Sequence, residues 1–450
     1  MMGERQVRQE ALFYGFSLEE HVPPDHLLRA IDRFVELSDI RRQLEPFYSA
    51  IGRPSVDPEL MIRMLLVGYC CGIRSERRLC EEVHLNLAYR WFCRLGLDGA
   101  VPDHSTFSKN RHGRFRDSDL LRHLFEATVR RCMAEGIVGG QGFAVDASMV
   151  RADAHRQKGA ASKDELDPRH ATRAVAEYLA ALDDAAFGAA TEVPPKLVSP
   201  TDPAARWTAA AGGPACYAYC DNYLIDVEHA VIVDVEATTA VRQAEVGAAQ
   251  TMLTRTAERF GLWPERLIAD TGYGSAAMLG WLVHERGIEP HIPVFDKSTR
   301  DDGTFSRADF RYDREGDVYF CPAGKMLSTR GAVLNDDQIM YWSSTYDCAA
   351  CSLKQRCCPK APHRRIPRSV HEGARDMARD IAGTEAYVTS RRQRKKVEML
   401  FAHLKRILRL DRLRLRGPCG ARDEFHLAAA AQNLRRLAKL IPLPTPAPAG

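Results

Sequence analysis

The strongest constraint on this chain is a change of apolar period at Gln141. Before it, hydrophobic residues recur at helical spacing from residue 15 to 135. Asp57 and Pro58 open the segment ELMIRMLLVGYCCG, which Gly72 stops. Ser75 caps ERRLCEEVHLNLAYRWFCRLG, where Leu79, Val83, Leu87 and Trp91 share one helix face. Asp119 to Glu135 forms a further amphipathic helix that ends at Gly136. From Gln141 the pattern alternates instead, and GFAVDASMV predicts a strand. Helices first and strands afterwards predict an N-terminal all-helical domain followed by an α/β core.

The remaining elements follow in a definite order. The polar, Ala-rich stretch from about 151 to 213 predicts helix plus loop, and NYLIDVEHAVIVDVEATTA predicts a two-stranded hairpin. Next come a helix over Ala244 to Phe260, the strand RLIAD ending at Asp270, a helix near Ala276 to Glu285 and a strand over His291 to Phe295. Lys297 to about Val370 reads as irregular and Cys-bearing. Helices are expected from about Ala374 to Leu410 and from Asp423 to Leu440, and the Pro-rich tail IPLPTPAPAG is expected to be disordered. This order describes an RNase H-like mixed sheet: three antiparallel strands, then two joined in parallel through helical crossovers. The expected organisation is a helical domain (1–140), the first part of the core (141–296, with a polar insert at about 151–213), a Cys-bearing insertion (297–370), C-terminal core helices (371–440) and a tail (441–450).

Composition narrows the class. A chain of 450 residues with 45% hydrophobic and 27% charged residues is ordinary for a globular protein. Its start, MMGERQVRQEALF, has no apolar run like a signal peptide, and its longest apolar stretch, Met64 to Cys71, is too short to cross a bilayer. Thirteen unevenly spaced cysteines fit a reducing cytoplasm better than a disulfide framework. The net charge of +4 matters through its clustering. Arg391, Arg392, Arg394, Lys395, Lys396, Lys405, Arg406, Arg409, Arg412, Arg414 and Arg416 crowd one tract, opposed only by Glu398 and Asp411. Such a tract suits a polyanion.

Three acids stand out against this background. Asp146 lies mid-strand, where Asp is disfavoured unless a site uses it. Asp270 ends a strand, the edge at which open α/β sheets place functional groups, with Gly272 and Gly274 beside it for close ligand approach. Glu398 shares a helix arc of roughly 60° with Arg391, Arg394, Lys405 and Arg409. Val397, Phe401, Leu404 and Leu408 form the adjoining apolar stripe. Each acid has a plainer use: Asp146 in a turn or edge strand, Asp270 as a cap, Glu398 as the i,i+4 partner of Arg394. Together they form the carboxylate set that two-metal phosphoryl transfer requires.

The segments AVDAS, LIADTGYG and Arg394-x3-Glu398-x6-Lys405 resemble the three signature regions of DDE insertion-sequence transposases. GRPSVDPELMIRMLLVGY, PDHSTFSKNR, SPTDPAARW and AQNLRRLAKLIP are similar to the group with an InsH-like N-terminal helical domain, and the resemblance runs from about residue 10 to 442. It implies that Asp146, Asp270 and Glu398 bind Mg²⁺ (or Mn²⁺) and catalyse strand cleavage and strand transfer. It also implies that Arg394 and Lys405 contact the phosphates of the transposon ends. The partners implied are double-stranded DNA, as terminal repeats and target, and a second copy of the chain on paired ends. Arg391 stands where the family often has Tyr. The rival readings are an RNase H-like nuclease without strand transfer and a non-catalytic DNA-binding protein derived from a transposase.

Two further groups invite function. Ser105 to Arg116, with Lys109 and Arg111, forms with Arg74, Arg77 and Arg78 a second basic region, either a DNA-contacting helix-turn-helix or a solvated face or dimer contact. Cys321, Cys348, Cys351 and Cys357 (or Cys358) are either a structural zinc site or unligated thiols.

Overall fold

The computed structural model describes residues 15–442 except 50, 53, 155–172, 176–177, 179–196, 210–213, 242–243, 297–301 and 335–336. Most of the polar insert and the end of the Pro-rich tail therefore lie outside the described residues. The chain divides into two compact units, one of 1–139, 147–244 and 398–450, the other of 140–146 and 245–397. Strand β1 (Gly142–Arg151) gives its first half to the second unit and its second half to the first.

In the first unit the expected hairpin is present. Strands β3 (Cys216–Asp226) and β4 (Val231–Thr239) pair antiparallel from Tyr219↔Thr239 to Asp226↔Val231, with a register shift at Leu224/Ile225. A short strand β2 (Arg206–Thr208) also pairs with β3, where the sequence suggested only helix and loop. Helix Gly417–Leu440 is the core of this unit, with Phe425, Leu427, Ala428 to Ala431, Leu434 and Leu437 all buried. Four consecutive alanines let it approach closely to its neighbours, helices Pro58–Cys70 and Leu120–Ala134 and strand β4. Its Asn433 side chain stands in for a strand neighbour, accepting from the Ile232 N–H at 2.9 Å and donating to the Ile232 carbonyl at 2.8 Å. Edge groups of β4 are thereby satisfied without another strand. A buried network fastens the Leu120 helix to β4: Arg122 meets Asp234 at 2.5 Å, Glu126 at 3.1 Å and the Val235 carbonyl at 3.2 Å.

In the second unit the first half of β1 pairs in parallel with β5 (Arg266–Ile268), which pairs in parallel with β6 (Glu289–His291). Helix Ala244–Phe260 precedes β5, and helix Ala276–Gly280 lies between β5 and β6. The segment expected to be irregular is an ordered antiparallel sheet of β7 (Arg311–Asp313), β8 (Val318–Phe320), β9 (Met326–Leu334), β10 (Gln338–Ser343) and β11 (Arg365–Ser369). Its core is small and aromatic: Phe310, Tyr319, Leu327, Tyr341 and Ile366 are buried, and Tyr312, Tyr319 and Tyr341 pack ring against ring. Only one residue of β9 is buried, so the alternation that announces a strand is nearly absent there.

The long late helix is two helices, Glu372–Ala382 and Glu385–Arg406, parted at Gly383 and Thr384. Buried Glu372 collects Arg307 at 2.8 Å, Arg375 at 2.9 Å and Arg379 at 3.0 Å, which fixes the first of them against the chain entering the insertion. No helix among the described residues is long and apolar enough to cross a membrane.

Candidate active site

Two of the three acids are brought level by the sheet. Ala144 of β1 is in register with Ile268 of β5, so Asp146 and Asp270 each lie two residues further along adjoining parallel strands. Carried two residues past that last pair, the period-2 alternation of parallel strands would turn both carboxylates to the same face. Gly142 to Val145 are buried and anchor β1, while Asp146 is only half-buried. Asp270, also half-buried, lies past the last residue of β5, at the carboxyl end of the parallel strands. Its Oδ1 accepts the Gly272 N–H at 2.7 Å and so caps the turn Thr271–Tyr273. Both the capping use and the exposed strand-end use of Asp270 are thus present together.

The two glycines have a steric reason within the loop itself. A Cβ on Gly274 would come within 2.0 Å of the Pro293 carbonyl oxygen, and one on Gly272 within 2.9 Å of Asp270 Oδ1. The loop after β5 closes against the chain after β6, with the Phe295 N–H donating to the Gly274 carbonyl at 2.9 Å. These glycines shape the loop that carries Asp270.

Two like-charged carboxylates side by side form a hard oxygen donor pair, the type that takes Mg²⁺ or Mn²⁺. Among the described residues no group of three or more His, Cys, Asp or Glu side chains is gathered for a metal ion. Glu398 lies on helix Glu385–Arg406, exposed, and belongs to the other compact unit. The expected apolar stripe is buried, with Val397, Leu404 and Leu408 at 0% exposure and Phe401 stacked on Tyr223 at 4.9 Å. Arg391 is exposed and Arg394 and Lys405 are half-buried on the same helix. Arg409 is a correction. The helix ends at Arg406, and Arg409 has φ of 57°, so it leaves the arc that the sequence assigned to it.

Lys405 faces a partner that the sequence reading overlooked. Asp221 on β3 is wholly buried with neither carboxylate oxygen in a hydrogen bond. Burial pushes its carboxyl well above the usual range, against the pull of the Tyr223 hydroxyl and the Lys405 ammonium. Burial likewise lowers the Lys405 ammonium, with Asp221 opposing. The signal was available, since an Asp inside the apolar strand CYAYCDNYLID is as unusual as Asp146 in its own.

The N-terminal basic region is mixed in character. Lys109 on helix His104–His112 is exposed, whereas Arg111 is 5% exposed and paired with Glu76. Arg111 therefore sits in the interior rather than on an open DNA-facing surface. In the insertion, Cys321, Cys348, Cys351, Cys357 and Cys358 all line one cavity of about 20 Å³. Cys357 and Cys358 are the buried members, and burial pushes the Cys357 thiol up to about 12.

Two family models match parts of this chain, one on each side of the segment that carries Asp146 and Asp270. Residues 16–113 match the family model described as Transposase domain (DUF772), and residues 320–438 match the Transposase DDE domain. The first covers the N-terminal helices, and the second runs from β8 through Glu398 into helix Gly417–Leu440. Both matched models are transposase domains, the first on the helices in front and the second on the later part of the mixed α/β region. Together the two matches support a DDE insertion-sequence transposase.

Proposed function

We propose that this chain cuts and joins DNA strands at the ends of an insertion sequence, with Asp146, Asp270 and Glu398 as its catalytic carboxylates. The sheet of β1, β3, β4, β5 and β6 is, on this reading, an RNase H-like core. The observation that carries it is the parallel register of β1 and β5, which ends two residues before Asp146 on one strand and two before Asp270 on the other. Glu398 joins them on the strength of its place within the DDE-domain match and of the cations that share its helix.

Asp146 and Asp270 would hold magnesium or manganese, with Glu398 as the third ligand. When bound, the ion supplies Lewis acidity and neutralises charge on a scissile phosphodiester. The chain's own part is positioning. Arg391 and Arg394 present guanidinium groups to phosphate oxygens, and Lys405 presents a point charge. In the first step water attacks phosphorus and the P–O3′ bond breaks, leaving a 3′-hydroxyl and a 5′-phosphate. In the second, that 3′-hydroxyl attacks a phosphodiester of the target, forming a new P–O bond as the target's own 3′-oxygen departs. Neither step needs a covalent enzyme intermediate, so orientation and charge carry the catalysis. Paired ends call for two copies of the chain.

Asp146→Asn, Asp270→Asn and Glu398→Gln are each expected to abolish cleavage of an end-bearing duplex while keeping its binding. Cleavage retained by any one of them removes that residue from the catalytic set. A strand-transfer assay separates this reading from a simple nuclease, which yields cut but never joined products.

The insertion supports a separate structural proposal, zinc held by Cys321, Cys348, Cys351 and Cys357 or Cys358. Five thiols around a cavity of about one water's size supply the soft donors that zinc prefers. Metal analysis of the purified chain should find about one zinc per chain by the four-ligand rule. Absence of zinc, or zinc retained by Cys348→Ser/Cys351→Ser, refutes the assignment.

A further inference from the structure

A cavity of about 300 Å³ opens in the N-terminal part of the first unit. Arg74, Arg77, Arg111, Arg414, His104 and Tyr69 line it, and Glu76 and Glu424 are the acids among its described lining residues. Four arginines against two glutamates leave the lining positive. Arg74 is held by Glu424 and lies over the Tyr69 ring at 4.1 Å, while Arg111 is held by Glu76. Glu424 is further occupied by the backbone N–H groups of Arg414 and Leu415, both at 2.6 Å.

Ion pairing alone would explain two staples between helices, but it leaves a remainder. The Arg74 and Arg111 side chains are both 6% exposed, and the Nε–H of each is buried without a hydrogen-bond partner. Arg77 and Arg414 are exposed at the rim, and neither forms a direct ion pair among the described residues, Asp103 feeling Arg77 only at longer range. The cavity also receives the first turn of helix Glu76–Leu85, whose N–H groups and dipole favour an anion. Unmatched buried guanidinium donors, open rim cations and a helix N-terminus around one cavity describe a site for a tetrahedral oxyanion.

We propose that this cavity takes a phosphate group of bound DNA, as a subsite apart from the Arg391–Lys405 stripe. The assignment rests on the DNA-processing reading above. It gives the matched Transposase domain (DUF772) a task in holding the substrate: Arg77 and Arg414 meet the backbone at the rim, and Arg74 and Arg111 offer their free Nε–H donors deeper in. Arg111 then contacts DNA from inside a cavity, which reconciles its burial with its sequence setting.

The test uses the full chain and the double variant Arg77→Gln/Arg414→Gln, which leaves both buried ion pairs intact. Fluorescence anisotropy of an end-bearing duplex is titrated with KCl. Loss of two phosphate contacts should lower the slope of log K against log[salt] by about 1.8, and affinity at low salt by about tenfold or more. Melting in inorganic phosphate is the second arm: the melting temperature of the wild type should rise and that of the variant should not. Unchanged slope and affinity in the variant, with wild-type binding intact, overturn the subsite and leave the catalytic reading standing. A wild type that binds no DNA refutes that reading. If phosphate still protects it through Arg77 and Arg414, the cavity is a free-anion site, and the DNA assignment falls.

Discussion

Replacing Asp270 by Asn tests the carboxylate pair with little else disturbed. The side-chain oxygen that accepts the Gly272 N–H at 2.7 Å is retained, so the capped turn should persist. What is lost is one negative charge just past the end of β5, the strand that pairs with the β1 strand carrying Asp146. Adjoining strands lie about 5 Å apart, and at an effective dielectric of about 40 to 80 for half-exposed groups the repulsion is about 1 to 2 kcal/mol. In chelator, Asp270→Asn should therefore melt about 2 to 8 °C above the wild type, at about 2 to 4 °C per kcal/mol. Added Mg²⁺ should raise the wild type and leave the variant nearly unchanged. Cleavage should fall by at least about 10²–10³-fold, the size of losing one preorganised charge-stabilising group. The measurements are differential scanning fluorimetry with and without Mg²⁺, and a gel assay of strand cleavage. A variant that melts lower in chelator, or that keeps Mg²⁺ stabilisation and cleavage, refutes the pairing of Asp270 with Asp146.

Other perturbations probe the frame that holds the site. Asp234→Ala removes one of the two buried carboxylates that hold Arg122 and leaves Glu126, which should cost about 1–3 kcal/mol in urea denaturation; a cost near zero would mean that Glu126 alone satisfies it. Asp221→Asn should stabilise the chain more at pH 8 than at pH 5. A carboxyl raised on folding binds its proton more tightly in the folded state, so its contribution is fullest below the unfolded value and is lost as pH climbs through the folded one. Equal shifts at both pH values would show that the Asp221 carboxyl does not change charge over this range.

Much of the architecture was legible because its signals are local. The β3–β4 hairpin alternates strongly and carries its own turn, and the buried stripe of helix Glu385–Arg406 repeats every three or four residues. The insertion was not legible as a sheet, because its strands bury few residues and its core is built from dispersed tyrosines. The end of the late helix was misplaced because Ile407 to Leu410 continue the apolar spacing, while the backbone turns left-handed at Arg409. Asp146 and Asp270 could be suspected one at a time, but their common height is a property of register, which no local pattern reports. Asp221 escaped notice because the expected hairpin begins at Asn222, whereas β3 starts at Cys216. The burial of Arg111 depends on Glu76, which is remote in sequence.

The most direct measurement of the central claim is strand transfer by the purified full chain. The substrates are a duplex carrying the ends of its element and a circular target, with Mg²⁺ present. The account predicts joined products with the wild type and none with Asp146→Asn, whose end binding should be unchanged. Cut but unjoined DNA from the wild type, or joining by Asp146→Asn, would contradict it.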